Sequence, residues 1–381
     1  MTRSIYLDNN STTQMLAEVV ETMVDCLRRG YLNPASQHGS GRSARRVLEN
    51  AREQIGQILG ASLSPPNQDQ VIITSGGTES NNLAIRGLIQ QPGEILISQI
   101  EHPSALAAAN ELTSIGYEVI TIPVAASGHV DPDSVRSRLN DRTRLVCVML
   151  GNNETGAMQP IKEIADLCGA QGVPLHCDAV QVVGKLPTSF QQLGVTTLSF
   201  SAHKFHGPRS VGGLILKSKT LLHPLLVGGS QQLGLRPGTE SIASVVGMAK
   251  ALELSETELD SRAERMRVLR DWLQDQLVQS ANCIINGVEP RLPHTLNVSF
   301  PGHDRQALVM ALDLAGVECS TGSACTSGSS EPSHVLIAMG CKPEVIESSI
   351  RLSLSSLTTE SDVVIAAERI LRVVNNLRHP K

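Results

Sequence analysis

The feature that most constrains the fold is an alternation of short apolar runs with stretches of helical spacing between Gln70 and Lys204. The runs include V-I-I-T, E-I-L-I-S, R-L-V-C-V-M-L and V-P-L-H-C-D. This alternation predicts a mainly parallel sheet that is covered by helices on both faces. Ligands of such sheets bind beyond the carboxyl ends of the strands. The residues that directly follow each strand are therefore the candidates for a functional site.

The pattern changes in the last third of the chain. A long amphipathic helical region follows Ser241 and extends to about Gln279, and the elements after it are shorter and typical of an α+β arrangement. At 381 residues the chain is too long for one compact core. We therefore predict an α/β protein with a large domain of residues 14–255 and a smaller α+β domain of residues 1–13 and 256–381.

Charge and cysteine usage exclude several classes of protein. The formal net charge is -5 and no lysine- or arginine-rich block occurs, which argues against direct nucleic-acid binding. Neither a signal peptide nor an apolar run long enough to cross a bilayer is found, so no membrane association is expected. The eight cysteines are scattered singly without a C-x-x-C pair, which favours a reducing compartment. These observations predict a cytoplasmic protein.

Lys204 stands in T-T-L-S-F-S-A-H-K, directly after a run that predicts a buried strand. An ammonium group is costly to bury, so an ordinary lysine here would extend its charge to solvent. The alternative is a desolvated lysine with a lowered pKa that forms a Schiff base with an aldehyde cofactor, flanked by Ser201 and His203 as groups able to hold a phosphate. The motif by itself leaves both interpretations open.

T-S-G-G-T-E-S, from Thr74 to Ser80, lies between a predicted strand and a predicted helix. Glycines let backbone N–H groups approach an anion, and a helix N-terminus supplies positive potential. The motif therefore predicts a phosphate site, with a plain strand-to-helix turn as the alternative. Its spacing matches neither nucleotide motif, G-x-x-x-x-G-K-[ST] or G-x-G-x-x-G.

Three further stretches place polar residues after predicted strands. His102 in E-H-P-S is a candidate to stack on a cofactor ring, because aromatic residues make up only 2% of the chain. Asp178 in C-D-A-V-Q can keep a pyridinium nitrogen protonated, and Asn153 and Gln181 can donate to a phenolic oxygen. Each has an ordinary alternative, such as a surface histidine or a helix-capping aspartate.

The motifs N-P-A-S, T-S-G-G-T-E-S-N-N, E-H-P, N-N-E-T-G, D-A-V-Q, S-A-H-K, R-P-G-T-E and G-S-A-C-T-S-G follow one another in this order over nearly the whole chain. Together they resemble the NifS/IscS-type cysteine desulfurases of the class V aminotransferase family. The resemblance implies the fold type I of pyridoxal 5'-phosphate (PLP)-dependent transferases, in which a large domain with a mostly parallel seven-stranded sheet carries a smaller α+β domain. It also implies a homodimer.

The resemblance assigns roles to individual residues. Lys204 would carry the Schiff base, His102 would stack on the ring and act in catalysis, and Asp178 would face the ring nitrogen. Arg351 would bind the substrate carboxylate, assisted by Asn33. The remaining cofactor contacts that it implies are Gly77, Thr78, Ser201 and His203 at the phosphate, Asn153 and Gln181 at the ring oxygen, and Thr239 at the phosphate of the other subunit.

Cys325 lies in C-S-T-G-S-A-C-T-S-G-S-S, a run of small and polar residues without apolar periodicity. Such composition predicts a mobile surface loop, at about residues 320–333. An exposed thiol on such a loop can attack a sulfur atom and carry it away, whereas the bland alternative is an incidental exposed cysteine. Cys319 is expected to be structural. We predict no resident metal, with Cys325 as a candidate transient ligand of an iron-sulfur cluster.

The activity implied is the PLP-dependent removal of sulfur from L-cysteine, which yields L-alanine and a persulfide on Cys325. The sulfur would pass to an acceptor or iron-sulfur scaffold protein, for cluster assembly or tRNA thiolation. The alternatives are a PLP-dependent cysteine, cystine or selenocysteine lyase, and a PLP-binding regulatory protein without catalysis. The chain departs from the family pattern at Arg209, Ser210, Ser230, Gln232 and Pro237.

Overall fold

The structure is a computed structural model, and it describes residues 4–322 and 331–378. The strands are β1 (Ile5–Tyr6), β2 (Gln70–Thr74), β3 (Glu94–Ser98), β4 (Glu118–Ile122), β5 (Thr143–Cys147), β6 (Leu175–Asp178), β7 (Thr197–Ser201), β8 (Gly212–Leu216), β9 (Ile284–Asn286), β10 (Thr295–Ser299), β11 (Val317–Glu318) and β12 (Ser349–Ser353).

The helices are α1 (Ala17–Arg28), α2 (Gly39–Ile58), α3 (Gly77–Gly87), α4 (Pro103–Glu111), α5 (Pro132–Arg136), α6 (Ile161–Ala170), α7 (Phe190–Leu193), α8 (Ile242–Glu256), α9 (Leu259–Ser280), α10 (Arg305–Leu314), α11 (His334–Ala338), α12 (Pro343–Ile346) and α13 (Glu360–Arg378). Short 3₁₀ helices span Leu112–Ile115, Ala202–Lys204 and Gln231–Gly234.

A seven-stranded sheet in the order β2-β8-β7-β6-β5-β3-β4 forms the centre of the larger region. Its strands run parallel except β8, which is antiparallel to both β2 and β7. The predicted α/β fold with a mostly parallel sheet is therefore confirmed. The sequence analysis did not identify β8. Its first residues are glycines for a steric reason, because a Cβ on Gly213 would lie 2.3 Å from the ring of Phe200.

Both faces of this sheet are buried, as the continuous apolar runs predict. Successive residues of a strand point to opposite faces, and in β3 the side chain of Leu96 packs in one hydrophobic cluster while Ile95 and Ile97 pack in another. Helices cover each face, so the polar residues that remain at the carboxyl ends of the strands are collected at one edge of the sheet.

A second region follows the break between α8 and α9. It contains the antiparallel sheet β12-β10-β9 and the helices α9, α10 and α13, which share a separate hydrophobic cluster. The N-terminal residues Ile5 and Leu7 are buried in that cluster, and β1 pairs with β11. The chain therefore begins in this second region before it enters the larger one. We call residues 4–13 the N-terminal strap.

Candidate active site

Four of the predicted site residues lie where strands of the large sheet end. β6 ends at Asp178 and the neighbouring β7 ends at Ser201. Gly77 is the first residue of α3, which follows β2, and His102 caps the N-terminus of α4, which follows β3. The carboxyl ends of these strands thus bring together residues that are far apart in the sequence.

The turn between β2 and α3 forms a concave backbone surface that only glycine permits. Gly76 has a φ of 150°, and a Cβ on Gly77 would lie 2.9 Å from Val180 Cγ2. A Cβ on Gly212 would lie 2.8 Å from Gly76 Cα. The side chain of Ser201 faces the same turn, since its Oγ is 3.6 Å from the position of a Cβ on Gly76. With the N-terminus of an 11-residue helix behind it, this surface can hold a phosphate.

Lys204 follows β7 in a 3₁₀ turn, and its ammonium group contacts the N-terminal strap. Its Nζ donates to the carbonyl oxygen of Asn10 at 2.5 Å and to that of Ser11 at 2.8 Å. The side chain is half-buried. The predicted strand-end lysine is therefore turned inward, where two backbone carbonyls satisfy it instead of solvent.

The strap also binds the neighbouring His203. Its carbonyl oxygen accepts from both the backbone N–H and the hydroxyl of Thr13, and its Nδ1 lies 3.2 Å from Thr12 Oγ1. Burial, together with the positive charges of Lys204 and Lys185, lowers the pKa of His203 to about 4. This imidazole is consequently neutral at physiological pH, so it can contact an anion by a hydrogen bond without contributing a charge.

Asp178 is almost completely buried and its carboxylate is fixed from two sides. Its Oδ2 accepts from Asn81 Nδ2 at 2.7 Å, and its Oδ1 accepts from the backbone N–H of Val180 at 2.9 Å. Asn81 Nδ2 also donates to Ser104 Oγ at 3.0 Å, and Ser104 Oγ lies 2.7 Å from His102 Nδ1. One chain of hydrogen bonds therefore links the predicted stacking histidine with the predicted partner of the ring nitrogen.

The other side of Asn81 is equally constrained. Its Oδ1 accepts from Ser199 Oγ at 2.6 Å and lies 3.1 Å from His176 Nε2. Burial lowers the pKa of His176 to about 4, against the opposing charge of Asp178, so this imidazole is neutral and its Nε2 donates. The sequence analysis missed Asn81, although it lies one turn into α3 in the quoted motif T-S-G-G-T-E-S-N-N.

Gln181 lies in the turn that follows Asp178, and it forms a hydrogen bond with the N-terminal strap. Its Nε2 donates to the carbonyl oxygen of Asn10 at 3.0 Å, the same oxygen that Lys204 contacts, and its Oε1 accepts from Lys185 Nζ at 3.1 Å. Asn10 Nδ2 in turn donates to the carbonyl oxygen of Asn153 at 3.0 Å. Neither Asn10 nor Lys185 was identified from the sequence. Two signals were available in the sequence. For Asn10 it was the polar run directly after the apolar I-Y-L, and for Lys185 it was a lysine within the apolar stretch V-V-G-K-L-P.

Arg351 reaches the same place from β12 and is buried. Its Nη2 donates to Asp8 Oδ1 at 2.7 Å and to Ser11 Oγ at 2.9 Å. Its Nη1 donates to the carbonyl oxygens of Asn153 at 3.1 Å and Gly322 at 3.3 Å. Its Nε is buried and has no partner among the described residues. A carboxylate that binds this guanidinium through two N–H groups must therefore replace one of these contacts.

Glu101 is the residue before His102 and carries an unusual charge state. Its Oε1 accepts from Met149 N and Ser98 Oγ, while its Oε2 is buried without a partner in the described part of the chain. Burial, with a smaller contribution from Asp178, raises the pKa of this carboxyl group to about 8. Glu101 is thus mostly protonated at neutral pH and adds little negative charge near His102.

Three predicted residues are not part of this arrangement. The exposed side chain of Asn33 bonds locally to the backbone N–H of Ala35. Thr239 is exposed in a segment that Arg236 anchors to Glu79 in α3, with Arg236 Nε 2.8 Å from Glu79 Oε1. Cys325 lies outside the described residues.

Residues on both sides of the stretch that contains Cys325 lie near Glu154. Ser333 Oγ donates to Glu154 Oε2 at 2.5 Å, and a Cβ on Gly322 would lie 3.1 Å from the same oxygen. The carbonyl oxygen of Gly322 also contacts Arg351. Cys319, six residues before Cys325, is partly buried, and burial raises its pKa to about 12.

Metal and membrane features were sought in residues 4–322 and 331–378. In that part of the chain, no three His, Cys, Asp or Glu side chains come together as potential metal ligands. None of its helices combines the length and hydrophobicity that a membrane span requires.

Comparisons with known proteins agree over the whole chain. The family model of class V aminotransferases matches residues 5–365. The cysteine desulfurase IscS of Dictyoglomus turgidum is 41% identical, and the alignment covers 99% of this chain and 96% of that protein. A solved structure of a NifS-like protein superposes with a TM-score of 0.90 at 34% identity, covering 98% of this chain and 99% of the other.

A third relative bears on ligand chemistry. The structure of SspA in complex with cysteine superposes with a TM-score of 0.80 at 29% identity, over 93% of this chain and all of that one. Class V aminotransferases with this fold depend on PLP in general. The residues at the carboxyl edge of the sheet suit such a group, because they combine a glycine-lined helix N-terminus, an inward lysine and a buried carboxylate.

Proposed function

Because the chain belongs to the class V aminotransferase family, and within it to the NifS/IscS-type cysteine desulfurases, we propose that it removes the sulfur atom from L-cysteine with the help of PLP. The products are L-alanine and a persulfide on Cys325. One observation carries the proposal: Lys204 Nζ, Gln181 and Arg351 meet on the strap residues Asn10 and Ser11, at the edge of the sheet where Asp178 ends β6.

The cofactor would be held by groups that the chain already orients. The phosphate would lie at Gly77 and Thr78 at the N-terminus of α3, with Ser201 and His203 beside it. His102, whose Nδ1 is tied to Ser104, would present its ring face. Lys204 would form the covalent link, since it is the amine turned toward this edge of the sheet from the strand end.

When bound, the cofactor supplies a ring that accepts electrons from the substrate. Asp178 would keep the ring nitrogen protonated, because a buried carboxylate fixed by Asn81 stabilises a positive charge beside it. With the cofactor bound, Lys204 would accept and move the proton of the substrate α-carbon. Asn153 and Gln181 would donate to the ring oxygen.

Arg351 orients the substrate through its carboxylate. The guanidinium is already positioned by Asp8, Ser11 and two backbone carbonyls, so the substrate meets a rigid donor. Cys325 then attacks the substrate sulfur as a thiolate. An S–S bond forms, the C–S bond breaks, and its electron pair remains with the carbon that is later protonated to give alanine.

The full site includes a second copy of the chain. Thr239 is exposed in one protomer, and we assign it to the phosphate of the partner, so the active form is a homodimer. The persulfide sulfur passes to an acceptor protein or an iron-sulfur scaffold, for cluster assembly or tRNA thiolation. The scattered cysteines support a cytoplasmic location.

The test is mass spectrometry of the protein after incubation with L-cysteine. We expect one additional sulfur atom on the peptide that contains Cys325, and loss of both this mass and alanine formation in Cys325→Ala. Cys319→Ala is the matched control and keeps both. Continued consumption of L-cysteine by Cys325→Ala, with release of sulfide and no added sulfur on the protein, would instead identify a PLP-dependent lyase. A wild-type protein without the absorbance of a bound cofactor would point to neither enzyme.

A further inference from the structure

Lys185 is a buried lysine whose charge the described chain does not neutralise. Its residue exposure is 6%. In residues 4–322 and 331–378 no carboxylate forms an ion pair with it, and its Nζ donates to the neutral amide of Gln181 at 3.1 Å. A buried ammonium group without a counter-charge is destabilising. The position of this lysine therefore calls for a functional explanation.

The surroundings of Lys185 are positive. Burial lowers the pKa of Lys185 well below its ordinary value, and the charges of Lys204 and Arg351 lower it further. Lys185 in turn contributes to the lowered pKa values of three histidines, His203, His206 and His294. Lys185 and Lys204 line one small cavity of about 20 Å³, together with Arg262. This positive environment favours an anionic group.

The contact with Gln181 has a directional consequence. Lys185 Nζ donates to the oxygen of the Gln181 amide, so the amide nitrogen faces the other way. That nitrogen carries two N–H groups. One of them donates to the carbonyl oxygen of Asn10, which also accepts from Lys204. The other has no acceptor among the described residues.

We propose that Lys185 is a positioning residue, which fixes the amide of Gln181 so that its N–H groups, and not its oxygen, face the anionic ring oxygen of the cofactor. The proposal rests on the proposed function, because it assumes that PLP binds at this edge of the sheet. Without Lys185, the amide keeps only its contact with the Asn10 carbonyl, so its orientation is less tightly fixed. In a flipped amide the oxygen would face the Asn10 carbonyl and the ring oxygen, which are both acceptors. The loss of Lys185 therefore weakens a contact that Lys185 itself does not make.

The experiment is a titration of cofactor-free protein with PLP, followed by absorbance. Lys185→Met removes the donor at nearly constant side-chain length, and we expect PLP to bind roughly three- to tenfold more weakly, the size expected for one misoriented hydrogen bond. Lys162→Met, at an exposed lysine paired with Asp166, is the matched control and binds as the wild type does.

Two further variants separate positioning from a general structural role. Lys185→Gln keeps an N–H donor without the charge, and we expect it to restore binding to within about twofold of the wild type. In Gln181→Ala the positioned amide is gone, so adding Lys185→Met to it should weaken PLP binding no further. The melting temperature of Lys185→Met should equal or exceed that of the wild type, because a methionine in this place carries no buried charge.

The outcomes are distinct. If Lys185→Met bound PLP as tightly as the wild type, this inference would be overturned. It would also be overturned if the losses of PLP affinity in Lys185→Met and Gln181→Ala multiplied in the double variant. Equal weakening in Lys185→Met and Lys185→Gln would also overturn it, because the charge and not the amide orientation would then matter. If the wild type itself binds no PLP, the proposed function fails together with the inference.

Discussion

The polar groups around Lys204 and the segment of residues 226–240 around Thr239 are held in opposite ways. The first set, which we call the Lys204 cluster, comprises Asn10, Asp178, Gln181, Lys204 and Arg351. Asn10, Asp178, Gln181 and Arg351 are buried and Lys204 is half-buried. Its members come from the strap, from strand ends and from the second sheet. Hydrogen bonds join Gln181 and Lys204 to Asn10, and the Asn153 carbonyl accepts from both Asn10 and Arg351.

The 226–240 segment is largely exposed. Val227 is 97% exposed and Leu233 is 76% exposed, and both Gln232 and Leu233 have positive φ values. Two side-chain anchors hold the segment: Gln232 bonds to the backbone of Ile73 in β2, and Arg236 pairs with Glu79. Exposed apolar side chains on a segment that is fixed by its polar side chains are typical of a surface that another chain covers.

The two regions therefore differ in whether their contacts are completed within the chain. A single chain completes the Lys204 cluster, whereas the 226–240 segment is exposed in a fixed conformation. Asn33 belongs with the second group, since its neighbours Pro34 and Ala35 line an open cleft of about 780 Å³ together with Gln231 and Gln232. The following predictions test this division, in order of decreasing effect.

Lys204→Ala should abolish the function of the Lys204 cluster. We expect turnover of L-cysteine to fall roughly a thousandfold or more, because the covalent link and the proton carrier are lost together. The absorbance of the bound cofactor should change as well. Lys217→Ala, at an exposed lysine just after β8, is the control and should leave both unchanged. Retained turnover in Lys204→Ala would show that another amine has this role.

Glu101→Gln tests the buried region through the pH dependence of the free energy of unfolding. The pKa of Glu101 is raised from 4.5 to about 8 in the folded protein, so the folded state holds a proton that the unfolded chain releases between these values. The associated stability is present below pH 4.5 and is lost as the pH rises through 8. Glutamine does not titrate and keeps an acceptor for Met149 N and Ser98 Oγ.

The free energy of unfolding of Glu101→Gln should therefore match that of the wild type near pH 4.5 and exceed it by roughly 5 kcal/mol at pH 9. Chemical denaturation at a series of pH values measures this. Glu49→Gln, at a largely exposed glutamate, is the control and should follow the wild-type profile. Parallel profiles for Glu101→Gln and the wild type would contradict the buried, protonated state.

Complementation tests the exposed side. In a heterodimer of one Lys204→Ala chain and one Thr239→Ala chain, isolated with two different tags, one site receives an intact Lys204 and an intact Thr239 if Thr239 acts on the partner. We expect about half of the wild-type activity, since one of two sites is complete. If Thr239 served its own chain, the heterodimer would be no more active per intact Lys204 than the Thr239→Ala homodimer.

Gln232→Ala gives the smallest effect. The Gln232 amide accepts from Ile73 N at 2.7 Å and donates to Ile73 O at 2.9 Å. It therefore satisfies the N–H and the carbonyl oxygen of Ile73 in the edge strand β2. Its loss should lower the free energy of unfolding by about 1 to 2 kcal/mol and make PLP binding depend more strongly on protein concentration. Gln191→Ala, at an exposed glutamine in α7, is the control. If PLP binding by Gln232→Ala depended on protein concentration as it does in the wild type, this anchor would have no role in subunit contact.

The sequence by itself determined which segments form most of the large sheet and which residues follow its strands. Apolar periodicity and turn residues are local properties, so Asp178, Ser201, Lys204 and His102 could be placed at strand ends or helix starts without knowledge of the chain path. The ordered motifs were equally local, and the comparisons confirmed the family that they indicated.

Only the tertiary structure decided how these residues are connected. The Asp8–Arg351 ion pair joins residues 343 positions apart, and the carbonyl oxygen of Asn10 receives Lys204 from 194 positions away. The antiparallel insertion of β8 between β2 and β7 was likewise beyond prediction. Periodicity reports which face of an element is buried, whereas hydrogen-bond partners depend on where distant segments pass. The contacts of Lys185 and Asn81 are of this kind, and no local pattern contains them.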